Sequence, residues 1–252
     1  MSSSTPVILL TGASRGVGLA IAQHLLKHSA RLFLVARTAG PLEALKAEFP
    51  SQVDYLSGDL ADTSVCRAAV VQAVATYGRL DGVIVNHGVL EPVARVADAD
   101  IDAWKAAFDV GFFGVVALVK EAIPELRKAK GRVVFVSSGA AVTGYEGWGA
   151  YGSSKAALNH LAITLASEEK EITSISIRPG VIDTQMQQEI REKHAAAMGG
   201  THDKFMKLKA TGKLLRPDQP GNVIAKLALK APKDLSGQFL NWNAEQLADF
   251  QE

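Results

Sequence analysis

Cysteine is almost absent: Cys66 stands alone among 252 residues, so no intramolecular disulfide can form. No Cys/His cluster has the spacing of a structural zinc site, and the expectation is an intracellular protein that needs no metal. Neither sign of charge is in excess, since 27 Lys and Arg against 26 Asp and Glu leave a formal net charge of +1. Bulk attraction to nucleic acid or to acidic lipid is thereby excluded as the organising property. The opening MSSSTPVILL has no basic residue, and its apolar run is too short for a signal sequence or a membrane span. It reads as a short polar tail entering a strand, in a cytoplasmic protein. No linker, low-complexity tract or repeat beyond a strand and helix alternation divides the chain. With 48% hydrophobic and 21% charged residues, it is expected to bury one substantial core as a single domain, 1–252.

What is present is a rhythm. Aliphatic and β-branched runs at 7–10, 32–36, 53–57, 82–86, 132–137, 172–178 and 238–240 read as seven strands. Between them, apolar residues recur at helical spacing over 16–28, 41–49, 62–77, 100–129 and 150–169. Strand, helix, strand repeated this often requires right-handed crossovers, and so predicts an α/β fold with a doubly wound parallel sheet of the Rossmann type. Ligands of such sheets lie at the carboxyl ends of the strands. Residues 185–212 break the rhythm, being polar, rich in Lys and His and punctuated by Gly199 and Gly200. Following a strand directly, they are expected to form a substrate lid.

Gly12, Gly16 and Gly18, in TGASRGVG, follow the first strand and open the first helix. Missing side chains let a backbone approach a pyrophosphate, and a helix N-terminus offers free N–H groups and partial positive charge. The second strand, LFLVA, ends in Ala36 and Arg37. A carboxylate there would bind the adenosine ribose diol and repel a 2′-phosphate. With Arg37 instead, and Arg15 available from the glycine loop, two guanidinium groups can hold that phosphate, which selects NADP(H).

Tyr151 and Lys155, in YGSSK, share one helical face. An ammonium about 4 Å from a phenol, at an effective dielectric of about 20, contributes on the order of 4 kcal/mol, or up to roughly three pKa units. Lys155 is therefore expected to pull the Tyr151 hydroxyl down toward neutrality, with an oxidised nicotinamide adding to the pull. Ser137 and Ser138 end the strand VVFVSS, and since strand side chains alternate, one of the two should face the crevice and hold a substrate oxygen.

Taken together, these motifs resemble the short-chain dehydrogenase/reductase family over nearly the whole chain. TGASRGVG is similar to that family's TGxxxGxG and YGSSK to its YxxxK. The resemblance implies Ser138, Tyr151 and Lys155 as the catalytic residues, Ser138 being chosen over Ser137 by its spacing to the tyrosine. Tyr151 would protonate the carbonyl oxygen, Ser138 orient it, and Lys155 tune Tyr151 and bind the nicotinamide ribose. Cofactor contacts implied in the same way are Gly12, Ser14, Arg15, Gly16, Val17 and Gly18, then Arg37, then Asp59 and Leu60 of GDLAD at the adenine. VNHG resembles the family's NNAG at Asn86 and Gly88 and departs from it at His87. RPGVIDT resembles PGxxxT, which implies contacts from Pro179, Gly180, Val181, Ile182 and Thr184. The activity implied is NADPH-dependent reduction of a ketone or vicinal dicarbonyl. The alternatives are an NADP-dependent alcohol dehydrogenase running toward oxidation, or an NADPH-binding regulatory module. Assembly as a homodimer or homotetramer through 100–129 and 150–169 is implied too.

A second departure from the family pattern lies in FDVGFFG, where Gly111 takes the place of an asparagine that helps hold a relay water behind the lysine. Glycine within a helix costs about 1 kcal/mol relative to alanine, so local propensity does not explain it. Gly111 leaves room for a water, permits closer helix packing, or marks weakened catalysis. Val142, Tyr145, Trp148 and Met186 are expected to wall the substrate pocket. The ending GQFLNW looks like that of reductases of the sepiapterin and benzil type.

Overall fold

The computed structural model describes residues 5–251, so the first four residues of the expected polar tail lie outside them. The strand VILLT, β1 (Val7–Thr11), is buried along its whole length, and only the middle of a sheet covered on both faces provides such a site. Around it lie β2 (Arg31–Ala36), β3 (Val53–Ser57), β4 (Gly82–Val85), β5 (Arg132–Val136), β6 (Thr173–Arg178) and β7 (Phe239–Asn241). They form one seven-stranded sheet in the order β3-β2-β1-β4-β5-β6-β7, with every pairing parallel. The expected doubly wound architecture is therefore observed.

Alternation along the strands builds two cores. Ile8, Leu10, Ile84, Val134, Ile175 and Ile177 face one side, which is covered by α1 (Gly16–Lys27) and a helix at Asp218–Lys230. Leu9, Phe33, Val83, Val133 and Phe135 face the other, against α3 (Thr63–Tyr77) and two longer helices described below. Register sets Leu9 between Phe33 and Val83, so large side chains interlock across three strands. On the β2 to β3 crossover lies α2 (Gly40–Glu48). Asp62 caps α3 by accepting the Ser64 amide at 2.8 Å, and Gly78 closes it in the left-handed region.

The helix read as continuous over 100–129 is not continuous. It consists of α4 (Ile101–Phe108), a π turn at Asp109–Phe113 and α5 (Gly114–Ala129). At Gly114 the backbone lies so close to the next segment that an added Cβ would stand 1.8 Å from the Leu60 carbonyl oxygen. Glycine at that position lets α5 seat against the turn that carries Asp59 and Leu60. The next helix is α6 (Gly149–Glu168).

Residues 185–212 form three helices, α7 (Gln185–Lys193), α8 (Ala195–Met198) and α9 (Gly200–Ala210), joined at their base where Asp183 N–H donates to the Leu215 carbonyl at 2.8 Å and Leu215 N–H to Val181 at 2.9 Å. Residues 213–237 carry no strand or helix signal in the sequence, yet Asp218–Lys230 forms α10. Pro220 and Gly221 disguised it, but both sit in the first turn, where proline is tolerated. Gly221 packs on α1, where an added Cβ would lie 3.3 Å from that of Ala20. The chain closes with α11 (Ala248–Gln251). No helix among the described residues is long and apolar enough to cross a membrane.

Gly114→Ala is expected to lower unfolding stability by roughly 1–3 kcal/mol, measured by urea denaturation, because the added methyl drives α5 off the Leu60 carbonyl. A stability equal to that of the parent chain would show that this close approach imposes nothing.

Candidate active site

Strand order reverses between β1 and β4, and there the carboxyl edge of the sheet opens into a cleft of 1420 Å³. The residues expected at the cofactor line it, with the exception of Gly18. Gly18 is buried beneath the turn, and a Cβ there would come within 2.0 Å of the Gly12 carbonyl oxygen. Its task is to seat α1 on the turn. Gly12 lies at φ +67 and Gly16 at φ +54, conformations that L side chains rarely adopt. Arg15, at the N-cap of α1, makes no side-chain cap, so the first amides of the helix are left for a ligand. This uncapped N-terminus at a glycine turn suits a pyrophosphate.

Other expected contacts are held in place by the protein. The Asn86 amide donates to the carbonyls of Thr11 at 3.3 Å and Gly12 at 3.0 Å, tying the glycine turn to the end of β4. Asp59 accepts from the Ala61 amide at 3.0 Å. Thr184 caps α7 by accepting the Gln187 amide, and its methyl lies against Gly16. Arg15 is hydrogen-bonded to Gln185 of α7, whereas Arg37 is exposed at the rim. The two guanidinium groups thus line one cleft, with Arg15 turned toward α7.

Ser138, Tyr151 and Lys155 come together where β5 ends and α6 begins. Ser138 Oγ accepts from the Ala140 amide at 3.1 Å and lies near enough to the Tyr151 hydroxyl to favour its ionised form. Ser137, its competitor, is buried, and its hydroxyl has no hydrogen-bond partner among the described residues. Lys155 Nζ donates to the Val136 carbonyl at 2.9 Å and lies 5.9 Å from the Tyr151 ring centroid.

The electrostatics correct one expectation. Burial raises the Tyr151 hydroxyl above its ordinary value, against the smaller lowering by Ser138. Lys155 does not reverse this, because its own ammonium is desolvated and pushed down to about 8. In the cofactor-free protein Tyr151 is therefore held protonated at neutral pH. The positive charge of an oxidised nicotinamide is the remaining source of a downward pull.

Beyond Tyr151 the cleft has aromatic walls. The Trp148 ring stacks on Phe205 of α9 with centroids 5.2 Å apart, and Tyr145 lies 5.0 Å from Trp148. Leu90, Ile190 and Met198 are buried in the same cluster, with Met186 packed against it. Tyr145, Trp148 and Met186 line the cleft as expected. Val142 does not; it lies just past the turn Gly139–Ala141 and is 66% exposed. Phe205, Leu90 and Ile190 escaped the sequence reading, since apolar residues in a polar or loop segment carry no motif. His87 escaped it too, being noted only as a departure. Burial and the nearby Lys155 charge push its ring down to about 4. Gly111 does not open a space on its Cβ side: an added Cβ would meet Ser154 Oγ of α6 at 3.3 Å, so the glycine permits close packing of the π turn on α6.

Comparison with known proteins agrees with this geometry. The short chain dehydrogenase family model matches residues 6–195, and the chain belongs to that family. It is 42% identical over 260 residues to an (S)-benzoin-forming benzil reductase of Saccharomyces cerevisiae, covering 97% of this chain and 98% of the relative. A crystal structure of a short-chain dehydrogenase/reductase from Saccharomyces cerevisiae, 44% identical, superposes with a TM-score of 0.96 over 98% of this chain and 100% of the other. The NADPH and L-sorbose complex of L-sorbose reductase from Gluconobacter frateurii, 25% identical, superposes with a TM-score of 0.83 over 94% of this chain and 95% of the other. The protein is an oxidoreductase of the class acting on CH–OH and carbonyl groups.

Proposed function

We propose that this protein reduces a ketone or vicinal dicarbonyl to the alcohol with NADPH, Tyr151 acting as the general acid. The observation that carries the reading is the half-buried Tyr151 side chain, whose hydroxyl is held in its protonated form beside Ser138. A phenol that keeps its proton at neutral pH is ready to give it to a carbonyl oxygen that becomes an alkoxide. NADPH, when bound, supplies the hydride. Ser138 holds the substrate oxygen next to Tyr151, and Lys155, anchored on Val136, presents its remaining N–H donors toward the cleft. The wall of Tyr145, Trp148 and Phe205 suits a bulky aryl ketone or diketone, and the benzil reductase relative acts on such a compound. Helices α7 to α9 supply Phe205 and Met186 to that wall and so serve as the substrate lid.

In an NADPH-consumption assay with benzil, Tyr151→Phe is expected to lose a factor of about 10²–10⁴ in kcat while still binding NADPH. The parent rate should fall as pH rises past about 8, where Lys155 loses its proton, since the protonated forms are the active ones. Tight NADPH binding by a parent chain that turns over no diketone, aryl ketone or pterin carbonyl would favour a regulatory NADPH-binding module instead.

The exposed Arg37 at the end of β2, with no carboxylate beside it, supports selection of the 2′-phosphate. Arg37→Asp is expected to move the NADPH to NADH preference toward NADH by at least about tenfold, as a charge-assisted hydrogen bond of about 1.5–3 kcal/mol is lost. A parent chain that binds NAD more tightly than NADP would remove the reason for assigning the reductive direction.

The homodimer or homotetramer of the family has a fitting surface around α4. Val96, Ile101 and Phe113 are 75%, 60% and 55% exposed there, beside Trp104 and Phe108. Sedimentation equilibrium is expected to give at least a dimer, and Ile101→Lys to weaken it; a monomeric parent would dispose of the assembly.

A further inference from the structure

The His87 ring is fully engaged, and its partners belong to two different parts of the site. Nδ1 lies 2.7 Å from Thr11 Oγ1 at the end of β1, and Nε2 lies 3.1 Å from the Val110 carbonyl in the π turn. A carbonyl only accepts, so Nε2 carries the proton, and the Thr11 hydroxyl, which also lies 3.3 Å from the Ile84 carbonyl, gives its proton to Nδ1 across the shorter contact. Thr11 Oγ1 in turn accepts the amides of Asn86 at 3.0 Å and His87 at 3.3 Å. The ring is thus neutral, with both nitrogens committed, and it has no free position for relaying a proton.

The next residue of the π turn, Gly111, lies against Ser154 of α6. Ser154 Oγ donates to the Tyr151 carbonyl at 2.8 Å. On the other side of the ring, Gly88 borders Lys155, where an added Cβ would stand 3.3 Å from Nζ. The chain of contacts therefore runs from β1 through His87 and the π turn to the helix bearing Tyr151 and Lys155, and the segment carrying His87 also walls the ammonium.

We propose that His87 is a positioning residue for Tyr151 and Lys155, bracing the π turn at Asp109–Phe113 between β1 and α6, with Gly111 giving the turn its close seat on Ser154. The assignment rests on the reductase reading for its kinetic consequence and on the ring geometry alone for its structural one. His87 works through its neighbours and touches no reacting atom.

Two measurements test it. In benzil reduction, His87→Ala is expected to lower kcat by about 10- to 100-fold, the scale of a small misplacement at the reacting groups, with KM little changed. His87→Gln, whose amide can donate to Val110 and accept from Thr11, should recover most of the loss. Thr11→Val, which leaves the ring in place but removes its partner, should lower kcat in the same sense. A His87→Ala protein that is less stable yet has parental kcat would overturn the proposal, as would a His87→Gln protein no better than His87→Ala. ¹⁵N NMR of the imidazole in the cofactor-free chain should show protonated Nε2 and unprotonated Nδ1 at neutral pH, and the opposite tautomer would overturn the brace. Because that spectrum needs no turnover, a parent chain inactive on every carbonyl would sink the reductase reading while the brace is still decided.

Discussion

A parallel sheet covered on both faces has only its strand ends free. Here β1, β4 and β5 carry side chains buried on both sides, and every pairing is parallel, so the polar chemistry gathers at one edge. The glycine turn follows β1, the Asn86 to Gly88 segment follows β4, Ser138 follows β5 and Pro179 follows β6. The reversal of strand order at β1 and β4 splits the covering helices apart and leaves the cleft between them. Without the double burial, neither the direction of the strands nor the convergence of these segments would be determined.

That convergence has an electrostatic consequence. Lys155 reaches a position where it is 4% exposed and has the Val136 carbonyl as its hydrogen-bond acceptor. Burial without a carboxylate partner weakens the charged form, while the same burial strengthens the hold of Tyr151 on its proton. The two groups thus move apart in proton affinity, the lysine downward and the tyrosine upward. In the free site Tyr151 consequently keeps its proton at neutral pH. A site with the lysine in water would leave the ammonium near its ordinary value.

How much of this was legible depended on the range of the interaction. The strands and the glycine turn were readable because side-chain alternation and φ-permissive glycines are local properties of the chain. Tyr151 and Lys155 were readable as a pair for the same reason, helical spacing. The direction in which each pKa moves was not, because burial depends on β5, α6 and the segments above them, and pair spacing says nothing about desolvation. Helix α10 was missed where Pro220 and Gly221 mimic a break, and their meaning appears only once α1 is packed against them. Phe205 was missed because its aromatic partners are separated from it by more than fifty residues of sequence.

The two departures from the family pattern, His87 and Gly111, illustrate the same limit most sharply. Read singly, a histidine in the segment after β4 and a glycine in a long helix have no connection, and the glycine suggests a hole. In the fold the histidine bonds to the residue preceding that glycine, and the Cβ direction of the glycine is filled by Ser154. The π turn explains why both are tolerated: a widened turn leaves backbone carbonyls without their usual helical donors, and Val110 finds its donor in His87. A larger residue at 111 would press on Ser154, and a residue without a donor at 87 would leave the Val110 carbonyl unpaired at that bond. The two positions thus belong to one local arrangement, in which the π turn is held by His87 on one side and seats on Ser154 at Gly111 on the other.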